Sequence, residues 1–133
     1  MLAPDGKSLL SVKTNDGTLW RIPFDEAEPV VEIPLTAPVT HGDGLVWTPS
    51  GSLLVMQNYE EKVSDIDMGS GRVTDLLLTG IETPTSAAFS DGGDLVVVNS
   101  QFARDLPVCC RFRWRGMTQG FIEAVNGRVK RAR

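Results

Sequence analysis

Cysteine is nearly absent: the two in 133 residues, Cys109 and Cys110, are adjacent. Neighbouring cysteines rarely meet disulfide geometry without straining the peptide between them, so no disulfide framework is expected. Zinc-ligand spacing is missing as well. His41 is the only histidine, which rules out any metal cluster built on imidazoles. Long apolar runs are also wanting. Leu76-Leu77-Leu78 and Leu95 to Val98 are strand-sized, far short of the roughly 20 apolar residues that a membrane helix needs. The start, Met1-Leu2-Ala3-Pro4-Asp5-Gly6, has neither the basic nor the apolar region of a secretory signal, and the compartment stays open. No Gly-x-Ser-x-Gly elbow accompanies the serines, so a serine hydrolase has no support.

What the chain does have is 13 Gly and 8 Pro among Val, Leu and Thr runs, a composition that favours strands joined by tight turns. The expected class is all-β. Charge is distributed unevenly: residues 1–102 hold five Lys/Arg against fifteen Asp/Glu, and residues 103–133 hold eight against two. The body is therefore net −10 and the tail net +6, which sums to the −4 of the whole chain. The break near Phe102 is read as a composition boundary. It divides a body, 1–102, from a basic, loosely ordered tail, 103–133, of the kind a shifted reading frame would produce.

Sliding the sequence on itself decides the architecture. At an offset of 42, Trp47 to Gln57 (WTPSGSLLVMQ) falls on Phe89 to Asn99 (FSDGGDLVVVN), aromatic on aromatic and turn on turn. At an offset of 44, Leu9 and Leu10 fall on Leu53 and Leu54, Leu19 on Val63 and Ile22 on Ile66. Each unit runs as an apolar strand ending in an aromatic, a Pro/Asp/Gly turn, a second apolar strand, a polar loop and a third strand. In Thr18 to Phe24 the period is two: Trp20, Ile22 and Phe24 share a face expected to pack, with Arg21 on the other. A unit of this length and order is a propeller blade. The chain holds about two to two-and-a-half four-stranded antiparallel blades, an open propeller segment. It is expected to be a fragment of a larger ring, or to self-associate through its open sheet edges.

Pro4-Asp5-Gly6-Lys7-Ser8-Leu9-Leu10, Gly17-Thr18-Leu19-Trp20-Arg21-Ile22, Gly42-Asp43-Gly44-Leu45 and Leu95 to Phe102 resemble the gluconolactonase and senescence-marker-protein (regucalcin-like) family of six-bladed propellers, in its C-terminal blades. The resemblance implies a sugar-lactone hydrolase with a divalent metal, calcium first and zinc second, at the top of the central channel. It is held there by a Glu, an Asn and an Asp from different blades, and it polarises the lactone carbonyl and activates water. The Asp is carried over to Asp43, with Gly42 where the family often has Pro. The Glu and Asn have no counterpart in this chain, so catalysis by the chain alone is not expected. A non-catalytic propeller that binds a partner is the alternative.

The repeat bears on Asp43 independently. At an offset of 42 it meets Thr85, so a carboxylate there is not needed to build a blade. His41, Gly44 and Thr85 are the accompanying channel-lining positions. An Asp-Gly turn or strand cap is the structural alternative for Asp43, and a polar loop residue before a Gly-Asp-Gly turn that for His41. Asp65 and Asp67 flank Ile66 and read as two solvent-facing side chains of an outer strand. Arg111-Phe112-Arg113-Trp114-Arg115 interleaves cations with aromatics, as single-stranded nucleic-acid binders do. The acidic body opposes a phosphate backbone, and neither a nucleic-acid nor a membrane partner is expected. Asn126-Gly127 has the chemistry of a hairpin turn.

Overall fold

The computed structural model describes residues 1–76 and 80–100 in full, and as strand backbone 108–113 and 123–125. Three antiparallel sheets follow one another along the chain. The first contains β1 (Ser8–Lys13), β2 (Thr18–Pro23) and β3 (Val31–Ile33). The second is a meander of β4 (Gly42–Trp47), β5 (Leu53–Gln57), β6 (Lys62–Asp67) and β7 (Arg72–Leu76). The third runs β8 (Pro84–Phe89), β9 (Asp94–Asn99), β10 (Val108–Arg113) and β11 (Glu123–Val125). Among the described residues no helix is long and apolar enough to cross a membrane.

Pairing registers reproduce both sequence offsets. Leu9 stands opposite Ile22 in the first sheet, and Leu53 opposite Ile66 in the second, a shift of 44 at both residues. Trp47 stands opposite Leu53 and Phe89 opposite Leu95, a shift of 42. Met1 to Ala3 occupies, in the first sheet, the place that the end of β4 holds in the second. Met1 and Leu10 exchange backbone hydrogen bonds of 2.9 and 2.7 Å, and Leu2 bridges Leu9.

The turns explain where the register slips by one. The Ala3, Thr48 and Ser90 carbonyls accept from the Gly6, Gly51 and Gly93 amides, with positive φ of 67°, 90° and 79° at the three glycines. Glycine adopts that backbone without steric cost. Thr48 and Ser90 then donate to the carbonyls of Ser52 and Asp94, four residues on, while Ala3 donates to Ser8, five residues on. Lys7 is the extra residue. It shifts the turn by one position against strands that keep their spacing.

The core lies between sheets. Leu10 and Leu19 of the first sheet pack with Leu53, Val55 and Ile66 of the second, while Leu54, Met56 and Val63 on its other face pack with Leu95 and Val97 of the third. Val39 and Ile81, one in each loop entering an innermost strand, close the two clusters. The face of β2 that packs inside this chain is therefore that of Leu19. The expected one, carrying Trp20, Ile22 and Phe24, is turned away, with Ile22 36% and Phe24 55% exposed. The period was legible; which face found a partner was not.

Beyond the composition change at Phe102 the third sheet continues: β10 pairs with β9 from Val108 opposite Asn99 to Arg113 opposite Asp94, and β11 pairs with β10. The Asn126-Gly127 turn, Trp114-Arg115 and the terminal basic residues lie outside the described residues.

Asp65 and Asp67 are not the solvated pair that their spacing suggests. Asp67 accepts hydrogen bonds from the amides of Gly69 and Ser70, and those two donors hold its pKa below the ordinary value. Asp65 is 1% exposed, stands between Leu54 and Thr74, and neither of its carboxylate oxygens has a hydrogen-bond partner. Burial pushes its pKa up, against the opposing influence of the nearby Ser52 hydroxyl, which is itself bonded to Thr48. The equivalent in the first sheet is Arg21, whose Nε donates to Ser8 at 3.0 Å and whose guanidinium pairs with Asp5 at 2.9 Å. The Arg21 side chain is 41% exposed although its strand face, that of Leu19, packs on the second sheet, whereas Asp65 is enclosed.

The raised pKa fixes the sign of a pH effect. Below the ordinary value of 3.8 the carboxyl is protonated folded and unfolded alike. Above it the unfolded chain ionises while the fold must keep the proton or bury the charge, so stability falls as pH rises through the folded pKa. Asp65→Asn removes the charged form. In urea titrations the variant should be more stable than the parent at pH 7 by on the order of 1–3 kcal/mol, with the gap closing near pH 4. A gap independent of pH would show that Asp65 does not titrate across that range.

Candidate functional site

Two β-bulges create the only places where the innermost strands break their alternation among the described residues. In β4 the register shifts between Gly42, opposite Gln57, and Leu45, opposite Val55; in β8 it shifts between Pro84, opposite Asn99, and Ser86, opposite Val98. Asp43 and Gly44 lie between the two pairings in β4 and Thr85 in β8, and the offset of 42 sets Asp43 against Thr85. A bulge frees a residue from the ladder and re-aims its side chain, a recurrent device next to binding sites.

Each bulge residue is met by the residue that follows the second strand of its sheet. Asn58 Nδ2 donates to Asp43 Oδ2 at 3.4 Å, and the Thr85 and Ser100 hydroxyls are 2.9 Å apart. The backbone repeats as well: the amides of Asn58 and Ser100 donate to the carbonyls of His41 and Thr83 at 3.1 and 2.8 Å. Behind each bulge a buried amide side chain ties down the loop. Gln57 Nε2 donates to the Thr40 carbonyl at 2.8 Å, and Asn99 accepts from the amides of Glu82 and Thr83 while donating to the Gly80 carbonyl at 3.1 Å. Gln57 and Asn99 are wholly buried. Their alignment at the offset of 42 was visible in the sequence, and polar residues ending two otherwise apolar strands were the signal for it.

Gly44 brings the bulges together. A Cβ added there would lie 2.5 Å from the Thr85 carbonyl oxygen and 2.9 Å from the Ser86 Cα, so β4 and β8 approach backbone to backbone. Asp43 is exposed and, with Met1, Leu10, Ser11, Val12 and Leu45, lines an open cleft of about 240 Å³ between the first sheet and β4. His41 lies to the other side, over the loop joining β5 to β6. It has a positive φ of 55°, its Nδ1 is 2.9 Å from Glu60 Oε1, and its ring meets Tyr59 edge to face at 5.4 Å. Of the four sequence-derived positions, Gly44 and Thr85 touch, Asp43 adjoins them, and His41 belongs to a separate cluster with Tyr59 and Glu60.

The side-chain groups at the two bulges offer oxygens: the Asp43 carboxylate, the Asn58 amide and the Thr85 and Ser100 hydroxyls. Such a set suits a hard cation and not zinc. It falls short of a cation shell, because Asn58 Oδ1 already accepts from the Tyr59 amide and calcium takes six to eight oxygens. Among the described residues no group of three or more His, Cys, Asp or Glu could hold a metal.

No protein-family model matches the sequence, and no curated protein matches it. Solved structures do. A catalytically inactive histidine-to-alanine form of virginiamycin B lyase from Staphylococcus aureus, with quinupristin, aligns over 92% of this chain and 38% of its own with a TM-score of 0.66 and 18% identity. A streptogramin B lyase aligns over 92% of this chain and 41% of its own (TM-score 0.55, 17% identity). The hydrazine synthase of Kuenenia stuttgartiensis aligns over 84% and 31% (TM-score 0.64, 16% identity). This chain has the fold of a β-propeller segment. It spans about two fifths of the lyases it matches. At these identities the likeness is one of fold.

Gly44→Ala should force β4 from β8. The methyl would meet backbone, which cannot rotate aside, and overpacking of this kind costs about 1–3 kcal/mol. Gly92→Ala, whose new Cβ has only Ser90 Oγ at 3.8 Å, should lie within about 0.5 kcal/mol of the parent. Thermal denaturation of both variants checks the contrast; equal midpoints would mean that the two strands do not rely on their close approach.

Proposed function

We infer that the bulged rim of β4 and β8 is part of the substrate face of a propeller that hydrolyses small sugar lactones, with Asp43 as this chain's contribution to a divalent-cation shell. The observation that carries the reading is the bulge at Asp43. The bulge and the backbone bonds of Asn58 and Ser100 repeat around it, yet a carboxylate stands where the next sheet has a hydroxyl. A residue the scaffold does not require, aimed out of the ladder at an open cleft, supports a ligand role. Calcium is favoured over zinc by the all-oxygen surroundings. The missing ligands would come from sheets outside this chain, and the chain by itself is not a competent hydrolase. The solved neighbours named as lyases carry out another class of reaction, and their likeness speaks for the fold only.

A second reading, a propeller that binds a partner without catalysis, is favoured by Tyr59. It is 69% exposed beside His41, as an aromatic anchor for a partner would be.

Amide-resolved NMR of the 133-residue chain separates the two. Calcium added to about the millimolar range, where ligand-poor sites bind, should shift the amides of Asp43, Gly44, Asn58 and Thr85, and Asp43→Ala should abolish those shifts. A rim unmoved by calcium, or moved equally in Asp43→Ala, would overturn the ligand role. Binding of a peptide partner retained in Asp43→Ala and lost in Tyr59→Ala would favour the second reading.

A further inference from the structure

The turn end of the second sheet, at the far end of β4 from Asp43, holds an unsatisfied carboxyl group. Asp65 is 1% exposed and neither of its carboxylate oxygens has a hydrogen-bond partner. Burying a carboxylate without a partner is costly, and either a proton or a cation removes the cost. Its polar neighbour is the Ser52 hydroxyl. Leu54 stands opposite Asp65 and Leu53 opposite Ile66, so one further step along the same register sets Ser52 opposite Asp67. Asp67 shares the face of β6 that carries Asp65, and the amides of Gly69 and Ser70 both bond its Oδ1, which leaves Oδ2 outside those bonds. Ser52 and Asp67, with Ser50 and Gly69, line an open cleft of about 330 Å³ at the β4–β5 and β6–β7 turns. Two carboxylates and a hydroxyl thus gather beside an opening to solvent, one of the carboxylates enclosed behind it.

The first sheet shows what suits this place. The offset of 44 sets Ser52 on Ser8 and Asp65 on Arg21. There the chain itself supplies a cation: the Arg21 guanidinium bonds the Ser8 hydroxyl at 3.0 Å and the Asp5 carboxylate at 2.9 Å. The second sheet keeps the serine, puts an anion where the cation stood, and adds another at Asp67, where the first sheet has Pro23. Arg72, opposite Asp67 on β7, is exposed and enters none of the ion pairs among the described residues.

We propose that Asp65, Asp67 and Ser52 form a cation site separate from the Asp43 rim, which takes a divalent hard cation, calcium before magnesium, and so ties the β4–β5 turn to the β6–β7 turn. The donors are all oxygens, which suit a hard cation, and the two carboxylates balance a double positive charge. Calcium accepts an irregular shell of six to eight oxygens, here completed by water from the cleft, whereas magnesium demands near-ideal octahedral geometry. A proton neutralises Asp65 alone; a shared ion neutralises both carboxylates. With few protein ligands the affinity falls in the range of about 10⁻⁴–10⁻³ M. The site does not rest on the lactone reading.

Thermal denaturation of the metal-stripped chain at pH 7, with calcium raised to about 10 mM at constant ionic strength, is the test. Calcium at about ten times its dissociation constant should raise the midpoint of the parent by about 3–8 °C. In NMR the amides of Ser52, Asp65 and Asp67 should shift. Asp65→Asn and Asp67→Asn keep the shape of the side chains, and each should lose both responses. Asp43→Ala should keep both, whatever becomes of calcium at the rim. Arg72→Gln, which removes a nearby like charge, should tighten calcium binding by about two- to fivefold. The stability lead of Asp65→Asn over the parent, measured in chelator, should shrink as calcium is added. A parent midpoint that calcium leaves unmoved, a response that survives in Asp65→Asn, or one lost in Asp43→Ala would overturn the proposal.

Discussion

Burial of the second sheet on both faces is the constraint on which the rest of the structure depends. Leu53, Val55 and Ile66 point one way and Leu54, Met56 and Val63 the other, and all six are removed from solvent. Fully burying a side chain of this size contributes about 1.5–3 kcal/mol, so neither flanking sheet is dispensable. A strand apolar at every position has no solvated face, and it is stable only between two neighbours. The order of three sheets, the convergence of β4 on β8 and the depth of the cleft beside Asp43 follow from it.

Within this buried sheet the Asp65 carboxylate stands apart, because its oxygens lack the hydrogen bonds that Gln57 and Ser64 make. Asp65 sits where the first sheet has Arg21, on the face of β6 that packs on the third sheet as the Leu19 face of β2 packs on the second. Arg21 reaches Ser8 and Asp5 because its surroundings are open. Asp65 has Ser52 in the place of Ser8 but no counterpart of Asp5, and its carboxylate oxygens go unpartnered. Two equivalent positions with opposite charges show that the repeat preserves shape while side-chain chemistry follows exposure.

Much of the fold was legible because propeller repeats write themselves into turns and strand registers. The offsets of 42 and 44 reappear as cross-strand pairs, and Gly6, Gly51 and Gly93 mark the same turn in three sheets. What periodicity could not supply was the identity of a neighbour. It put Trp20, Ile22 and Phe24 on one face and could not know that Leu19 would be the residue to find a partner. It gave Asp65 and Asp67 a common face and missed that burial differs sharply between them. The bulges were legible only indirectly. Asp43 on Thr85 marked a position where the framework tolerates change, whereas the extra residue in each innermost strand emerges only from the pairing. Gln57 and Asn99 escaped notice because polar ends of strands look like loop residues until their side chains are seen holding loops from within.

A repeated scaffold separates the residues that build it from those free to differ, and the rim tests that separation closely. Val39 and Ile81, Gln57 and Asn99, and the amide bonds of Asn58 and Ser100 agree from sheet to sheet in burial or geometry. Asp43 and Thr85 agree in backbone and in having a partner after the second strand, yet differ in charge and in acidity. Strain or capping would call for the same chemistry at both bulges, because the backbone problem is the same at both. Since a hydroxyl solves it in β8, the backbone of the bulge does not by itself require a carboxylate in β4.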